Sequence, residues 1–200
     1  MRRQLLTGLR MTIALTVLLG LAYPLAMTGI AQALMKNKAN GSFVSKDGKV
    51  VGSSLIGQSF LLPNGDPDPR YFQPRPSNAG DGYDAMASAG SNLGPSNPDL
   101  LKGVKDRVIA YRKLNGLPSG ASVPVDAVTS SGSGLDPDIS VANARLQVAR
   151  VARVRHLSDA QVVALVAKHT QGRPLGILGE KTVNVLELNL ALDALPRQSG

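Results

Sequence analysis

Few residues in this chain are able to do chemistry, and their spacing excludes more than it admits. His156 and His169 stand apart with no HExxH around them, and the chain has no cysteine. A metal centre therefore lacks ligands. Neither a GxSxG nucleophile elbow nor a GxxxxGK(S/T) phosphate loop occurs. Asp66, Asp68, Asp81 and Asp84 sit among Pro and Gly, but they lack the EF-hand spacing and its terminal Glu. They read as turn residues, and no catalytic residue is assigned. One feature invites an anion. The turn Ser131-Gly132-Ser133-Gly134 is expected to run through Asp136 as N-cap and Pro137 into a helix, with Arg145, Arg150 and Arg153 beyond. Backbone N–H groups and the dipole at such a start favour negative charge. A flexible turn before a well-capped helix is the plainer reading of the same residues.

The elements that would position these groups follow from caps and periodicity. Asn97, Pro98 and Asp99 start a helix whose Leu100, Leu101, Val104, Val108 and Ile109 recur at helical spacing up to Asn115-Gly116. Val50–Phe60 reads as a strand interrupted by Gly52 and Gly57, and Val123–Thr129 as a short strand. The helix after Asp136 is expected to reach about Arg155, with Val141, Ala144, Val148, Val151 and Ala152 on one stripe and the arginines elsewhere. Ser158 and Gln161 form a capping-box pattern opening a further helix. Residues 183–193 alternate at Leu186, Leu188, Leu190 and Leu192 and read as a strand, with helix as the alternative. Between Pro63 and Pro98 lies a long Pro/Gly-rich segment carrying Tyr71, Phe72 and Tyr83. Aromatics are not what disorder predicts, so this is an ordered loop with aromatic pins. The fold class is a single N-terminal transmembrane helix plus a mixed α+β soluble domain with long irregular loops.

Met11 to Met35 is a run of 25 residues without a charge. As a helix it reaches roughly 37 Å, longer than the ~30 Å hydrocarbon core of a bilayer. The expected organisation is a basic tail 1–10, a transmembrane anchor 11–35, a connector 36–50 with turn signals Asn40-Gly41 and Asp47-Gly48, and a soluble domain 51–195. A signal peptide cleaved after Ala31-Gln32-Ala33 is the rival reading. Of the net charge of +8, residues 1–38 supply +5 through Arg2, Arg3, Arg10, Lys36 and Lys38. The basic balance thus reports membrane flanks, and with three Phe and no Trp there is little to stack bases on. Nucleic-acid binding is not expected; membrane lipid is. Charge around the anchor is nearly balanced and does not fix its direction.

Six blocks in order carry a family resemblance: GSSLIGQSF (52–60), YFQPRPS (71–77), GSNLGPSNPDL (90–100), VPVDAVTSSGSGLDPDIS (123–140), QVARVARVR (147–155) and VNVLELNLALD (183–193). With Tyr23-Pro24 in the anchor, the chain resembles the KdpC family, the C subunit of the Kdp potassium-transporting P-type ATPase, over nearly its whole length. The resemblance implies a single-pass, non-catalytic subunit of the bacterial inner membrane. It implies as partners a potassium-translocating A subunit, an ATP-hydrolysing B subunit and a small F subunit. It also implies a catalytic chaperone that raises the B subunit's affinity for ATP in a ternary complex, with no cofactor tightly bound, and a soluble domain outside the cytoplasm.

Within that resemblance, Gln147 and Arg150, with the Ser131–Gly134 turn nearby, are the nucleotide candidates. Tyr71, Phe72, Arg75, Asp81, Asp84 and Asn92 are candidates for a loop that docks on the A subunit. Asp81, Asp84 and Asp99 could raise the local cation concentration at an entrance. Gly20, Tyr23, Pro24 and Gly29 are candidates for close packing on a partner helix, where small residues permit approach. The alternative function is a secreted or anchored extracytoplasmic binding domain with no pump partner.

Overall fold

A computed structural model describes residues 1–195 and divides the chain into two compact units, Met1–Phe43 and Val44 onward. The first unit is dominated by a helix, Arg2–Leu34, long and apolar enough to cross a membrane. It comprises α1 (Arg2–Val17), a π-type turn (Leu18–Ala22) and α2 (Tyr23–Leu34). Pro24 explains the turn. It has no N–H to give, and its ring crowds the carbonyl four residues back. The ladder re-registers just before it, with the Tyr23 N–H bonding to Leu18 O, five residues back. None of these helical segments has a buried residue. A short helix α3 (Lys36–Ala39) follows.

At the start of the second unit the chain forms a hairpin, β1 (Phe43–Lys46, its first residue the last of the first unit) and β2 (Lys49–Ser53). Asp47 and Gly48 both have positive φ, 51° and 76°, as a two-residue hairpin turn twisted to match its strands requires. The expected strand through Phe60 stops at Ser53, and Gly57 instead bonds backbone to backbone with Leu135. The Pro63–Pro98 segment crosses to α4 (Pro98–Asn115), whose N-cap Asn97 accepts from the N–H groups of Asp99 and Leu100 and whose stop, Gly116, is left-handed. The expected strand at 123–129 is a 3₁₀ turn, Val125–Ala127. Its backbone follows Pro124 with i→i+3 bonds to Ala127 and Val128.

Three short strands make an antiparallel sheet in the order β3 (Asp138–Ser140), β5 (Thr182–Asn184), β4 (Thr170–Gln171). Ile139 and Thr170 both pair with Val183. Against it lie α5 (Val141–Arg155), α6 (Asp159–Lys168) and α7 (Val185–Asp193). The core joins Ile139 and Val183 of the sheet to Val148 and Val151, Val162 and Val166, and Leu188 and Leu192, with Phe72 from the long loop among them. A smaller cluster of Tyr111, Ala127 and Val128 seats α4.

Two expectations change here. The chain forms a strand at Asp138–Ser140, so the helix begins at Val141 with Ser140 as its cap, and the Ser131–Gly134 turn does not open on a helix N-terminus. Residues 185–193 are helical rather than a strand. The buried set Val185, Leu186, Leu188, Asn189 and Leu192 is an i, i+1, i+3, i+4, i+7 face, which the alternating leucines conceal. Asn184 caps it by accepting from the Glu187 N–H.

Candidate functional site

The Ser140 cap fixes where α5 starts and so which way its side chains point: Asn143, Gln147 and Arg150 fall at i, i+4, i+7 on one face, and all three are buried. That face meets the YFQ stretch of the long loop. Gln147 accepts from the Gln73 N–H at 2.7 Å and donates to the Gln73 carbonyl at 3.1 Å. From the other side Asn189 of α7 does the same for Phe72, accepting its N–H and donating to its carbonyl, each at 2.9 Å. Two side-chain amides therefore pair with consecutive residues as neighbouring strands would. The buried backbone of an irregular segment is satisfied this way.

Arg150, 1% exposed, completes the clasp. Its Nη1 donates to the carbonyls of Pro69 and Tyr71, its Nη2 to Gln147 Oε1, and its Nε to Asn115 Oδ1. Burial pushes this guanidinium down to about 10, so it stays charged at neutral pH with carbonyl and amide oxygens as its neighbours. The arginine expected off the core stripe is thus within the domain's interior, because four oxygens converge there. Tyr111 donates to Asn143 Oδ1 at 2.8 Å, and burial raises its hydroxyl pKa. Asn143 in turn donates to Asp126, which also accepts from Ser140.

A second, more exposed network sits at the end of α7. Asp193 accepts from Lys46, Arg155 and Tyr71 at 2.9, 2.7 and 3.3 Å. Burial alone would raise its pKa, but Lys46 and Arg155 outweigh it and hold it below the usual carboxylate value. Arg155 also lies over the Tyr71 ring, 4.6 Å from its centroid, as a cation–π pair. Asp68, 3% exposed, grips Arg70 with both oxygens, and these bonds lower its pKa.

The Ser131–Gly134 turn holds the loop at another place. Gly134 and Ser133 accept from Ser77 Oγ and the Ala89 N–H respectively. Gly134 has φ +68°, and a Cβ there would lie 2.5 Å from Ala89 O. Its glycine is needed for that close approach. Arg75 pairs with Asp136 at 2.7 Å. Of the loop candidates, Phe72 is wholly buried and Tyr71 half-buried, whereas Asp81, Asp84 and Asn92 are exposed. In the first unit Tyr23 and Pro24 lie at the π-type turn. A Cβ on Gly20 would meet only Thr16 Cγ2 at 3.9 Å, and one on Gly29 nothing within 4 Å.

The structure thus brings Gln147, Arg150, Tyr71 and Phe72 together in one clasp, with Arg75 and the Ser131–Gly134 turn gripping the loop further along. Sequence reasoning missed Asn143, Asn189, Asn115 and Asp126. A signal was present for two of them: Asn143 and Asn189 each interrupt an apolar helical face, and a buried amide there needs partners.

The family described as K+-transporting ATPase, c chain, matches residues 5–194. A Mycobacterium tuberculosis protein named potassium-transporting ATPase KdpC subunit is 57% identical over 195 residues, which is 98% of this chain and 100% of the relative. Proteins of the same name from Koribacter versatilis and Kineococcus radiotolerans are 53% and 55% identical, covering 96% and 95% of this chain and 95% and 93% of theirs.

Proposed function

This chain belongs to the KdpC family, the c chain of K+-transporting ATPases, and from that premise we propose how it serves the pump. It is an accessory subunit rather than the catalytic one, within a complex of Kdp subunits. In our reading Arg2–Leu34 anchors it in the bacterial inner membrane and packs on the A subunit through the Gly20, Tyr23, Pro24 and Gly29 region. The soluble unit stands outside the cytoplasm and offers the exposed part of the 71–98 loop to the A subunit. The B and F subunits complete the assembly. The observation that carries this reading is the clasp. Two amides hold the backbone of Phe72 and Gln73 and a guanidinium holds that of Pro69 and Tyr71 from within, so the loop is presented with little ordering left to lose on binding.

The same geometry guides the ATP question. Gln147 and Arg150 direct their polar atoms at protein partners. In our reading they raise the pump's affinity for ATP through the shape of the docked loop, without touching the nucleotide. The test is a pair of kinetic measurements on the assembled pump. Asp81→Asn/Asp84→Asn should raise the potassium concentration needed for half-maximal uptake and leave the KM for ATP alone. Gln147→Asn should shift the KM for ATP only in variants whose loop becomes protease-sensitive. Unchanged potassium affinity dismisses the entrance role. A shifted KM for ATP with an intact loop dismisses the indirect one. Protease cutting of the soluble unit in spheroplasts tests the side of the membrane.

A further inference from the structure

The outer side of the long loop and α4 enclose an open cleft of about 760 Å³, within the size range of binding clefts. Its charge is one-sided. Arg75, Arg107 and Lys113 line it, against the single acid Asp66. Its floor is apolar, formed by Pro74, Pro76 and Leu114 among others. Its cations stand outside the clasp, although Gln73 at the clasp's centre also lines the cleft.

The three cations are not equally engaged. Arg75 spends Nη1 on Asp136 and Nη2 on Ser130 O, but its buried Nε has no acceptor among the described residues. Arg107 uses one nitrogen on Val128 O, at 3.3 Å. Lys113 is exposed at the rim and forms no ion pair among the described residues. The wall is also preformed: Tyr83, held at φ +58°, donates its hydroxyl to Arg75 O and its N–H to Ser77 Oγ.

We propose that this cleft receives an acidic, extended segment of another subunit of the same pump, an inference that rests on the chain's place in that complex. Arg107 and Lys113 are six residues apart on α4, a rise of roughly 9 Å. Carboxylates at alternate positions of an extended chain lie roughly 7 Å apart on one face, within reach of these long side chains. The alternate apolar side chains lie on the proline floor. Cations spread in this way suit separated carboxylates better than one concentrated phosphate, and neither a helix N-terminus nor a glycine-rich phosphate loop lines the cleft.

The test uses the assembled pump in detergent. A carbodiimide joins a lysine amine to a carboxylate only in direct contact, so a cross-link from Lys113 to an Asp or Glu of another subunit is expected, and Lys113→Gln should remove it. Acetylation of Lys113 should fall about fivefold or more on assembly, as for a rim charge covered by a partner, while exposed Lys168 on α6 is the internal standard. Lys113→Glu should cut recovery with the pump about tenfold, the scale of lost charge pairing, with an unchanged melting curve. Lys113 equally reactive before and after assembly, with no cross-link, overturns the proposal. Protection of Lys113 in the isolated chain by inorganic phosphate or ATP overturns it too, in favour of a phosphate site. If the wild-type chain does not co-purify with the pump at all, the assembly reading itself fails, a result seen before any cross-linking is done.

Discussion

The N-terminal helix and the clasp around Phe72-Gln73 solve opposite problems. In Arg2–Leu34 the backbone bonds to itself and no side chain is buried. Around Phe72-Gln73 the backbone has no helix or sheet, and Gln147, Arg150 and Asn189, each at most 1% exposed, replace one. A helix is locally complete and needs only an apolar surrounding. An irregular loop is complete only when side chains from distant parts of the chain arrive at its polar atoms. The domain's stability should therefore be concentrated at the clasp and be nearly indifferent to the helix.

The largest expected effect is at the centre of the clasp. Arg150→Met keeps much of the volume but abandons the carbonyls of Pro69 and Tyr71 and the amide oxygens of Asn115 and Gln147. Stranded buried polar groups cost about 1–3 kcal/mol each before relaxation, and removing one side of a buried charged network costs about 3–5 kcal/mol. Urea unfolding of the full chain in detergent, followed by near-ultraviolet circular dichroism, should lose that amount. A loss below about 1 kcal/mol would mean that water replaces Arg150 and the loop is not held from within.

Next come the two amides. Gln147→Leu and Asn189→Leu each leave a buried N–H and carbonyl unpaired, for about 2 kcal/mol apiece. They grip adjacent residues, so once either is lost the segment is free to shift. The double variant should cost less than the sum, with a coupling of at least about 0.5 kcal/mol. Strict additivity would show two independent contacts instead of one clasp.

Acid separates the clasp from its rim. Asp68 and Asp193 are held below the usual carboxylate value in the folded chain. Their stabilisation is therefore present above their unfolded pKa, near 4, and is lost as pH falls through the lower folded value. The melting temperature should drop between pH 5 and pH 3. Asp193→Asn should already be less stable at pH 7 and should fall less steeply over that window. Arg150 stays charged throughout, so the clasp itself contributes no slope there. An identical slope in Asp193→Asn would remove this carboxylate from the account.

The difference between the regions also explains what the sequence revealed. Caps act within four residues, so Asn97, Pro98 and Gly116 bracket α4 and Ser158 with Gln161 starts α6, as the local pattern indicates. The uncharged run at 11–35 is equally local. The clasp joins residues 74, 79, 81 and 117 positions apart, and no local pattern announces such pairings. At 183–193 the leucine alternation suggested a strand, although Asn184 and Glu187 already stood at cap and N3 positions. At 131–137 the Gly/Ser turn and Asp-Pro pair resembled a helix start. The chain first uses Asp138–Ser140 to pair with β5, and Gly134 serves the approach of Ala79 and Ala89.

The smallest expected effect on the domain lies in the helix, and it discriminates most. Gly29→Leu meets open space: a Cβ there has no neighbour within 4 Å. Replacing a helical glycine removes a penalty of about 1 kcal/mol local to the helix, so the urea curve of the soluble unit should move by less than about 0.5 kcal/mol. If small residues here are the seat of a partner helix, as we propose, the bulk of leucine prevents close approach. The variant should then anchor and fold normally yet be recovered with the other pump subunits in reduced amount. Gly8→Leu, also without neighbours within 4 Å and well before the π-type turn, is the control. Equal recovery of both variants would leave the helix as a tether alone. A shifted urea curve for Gly29→Leu would contradict the separation of the two regions.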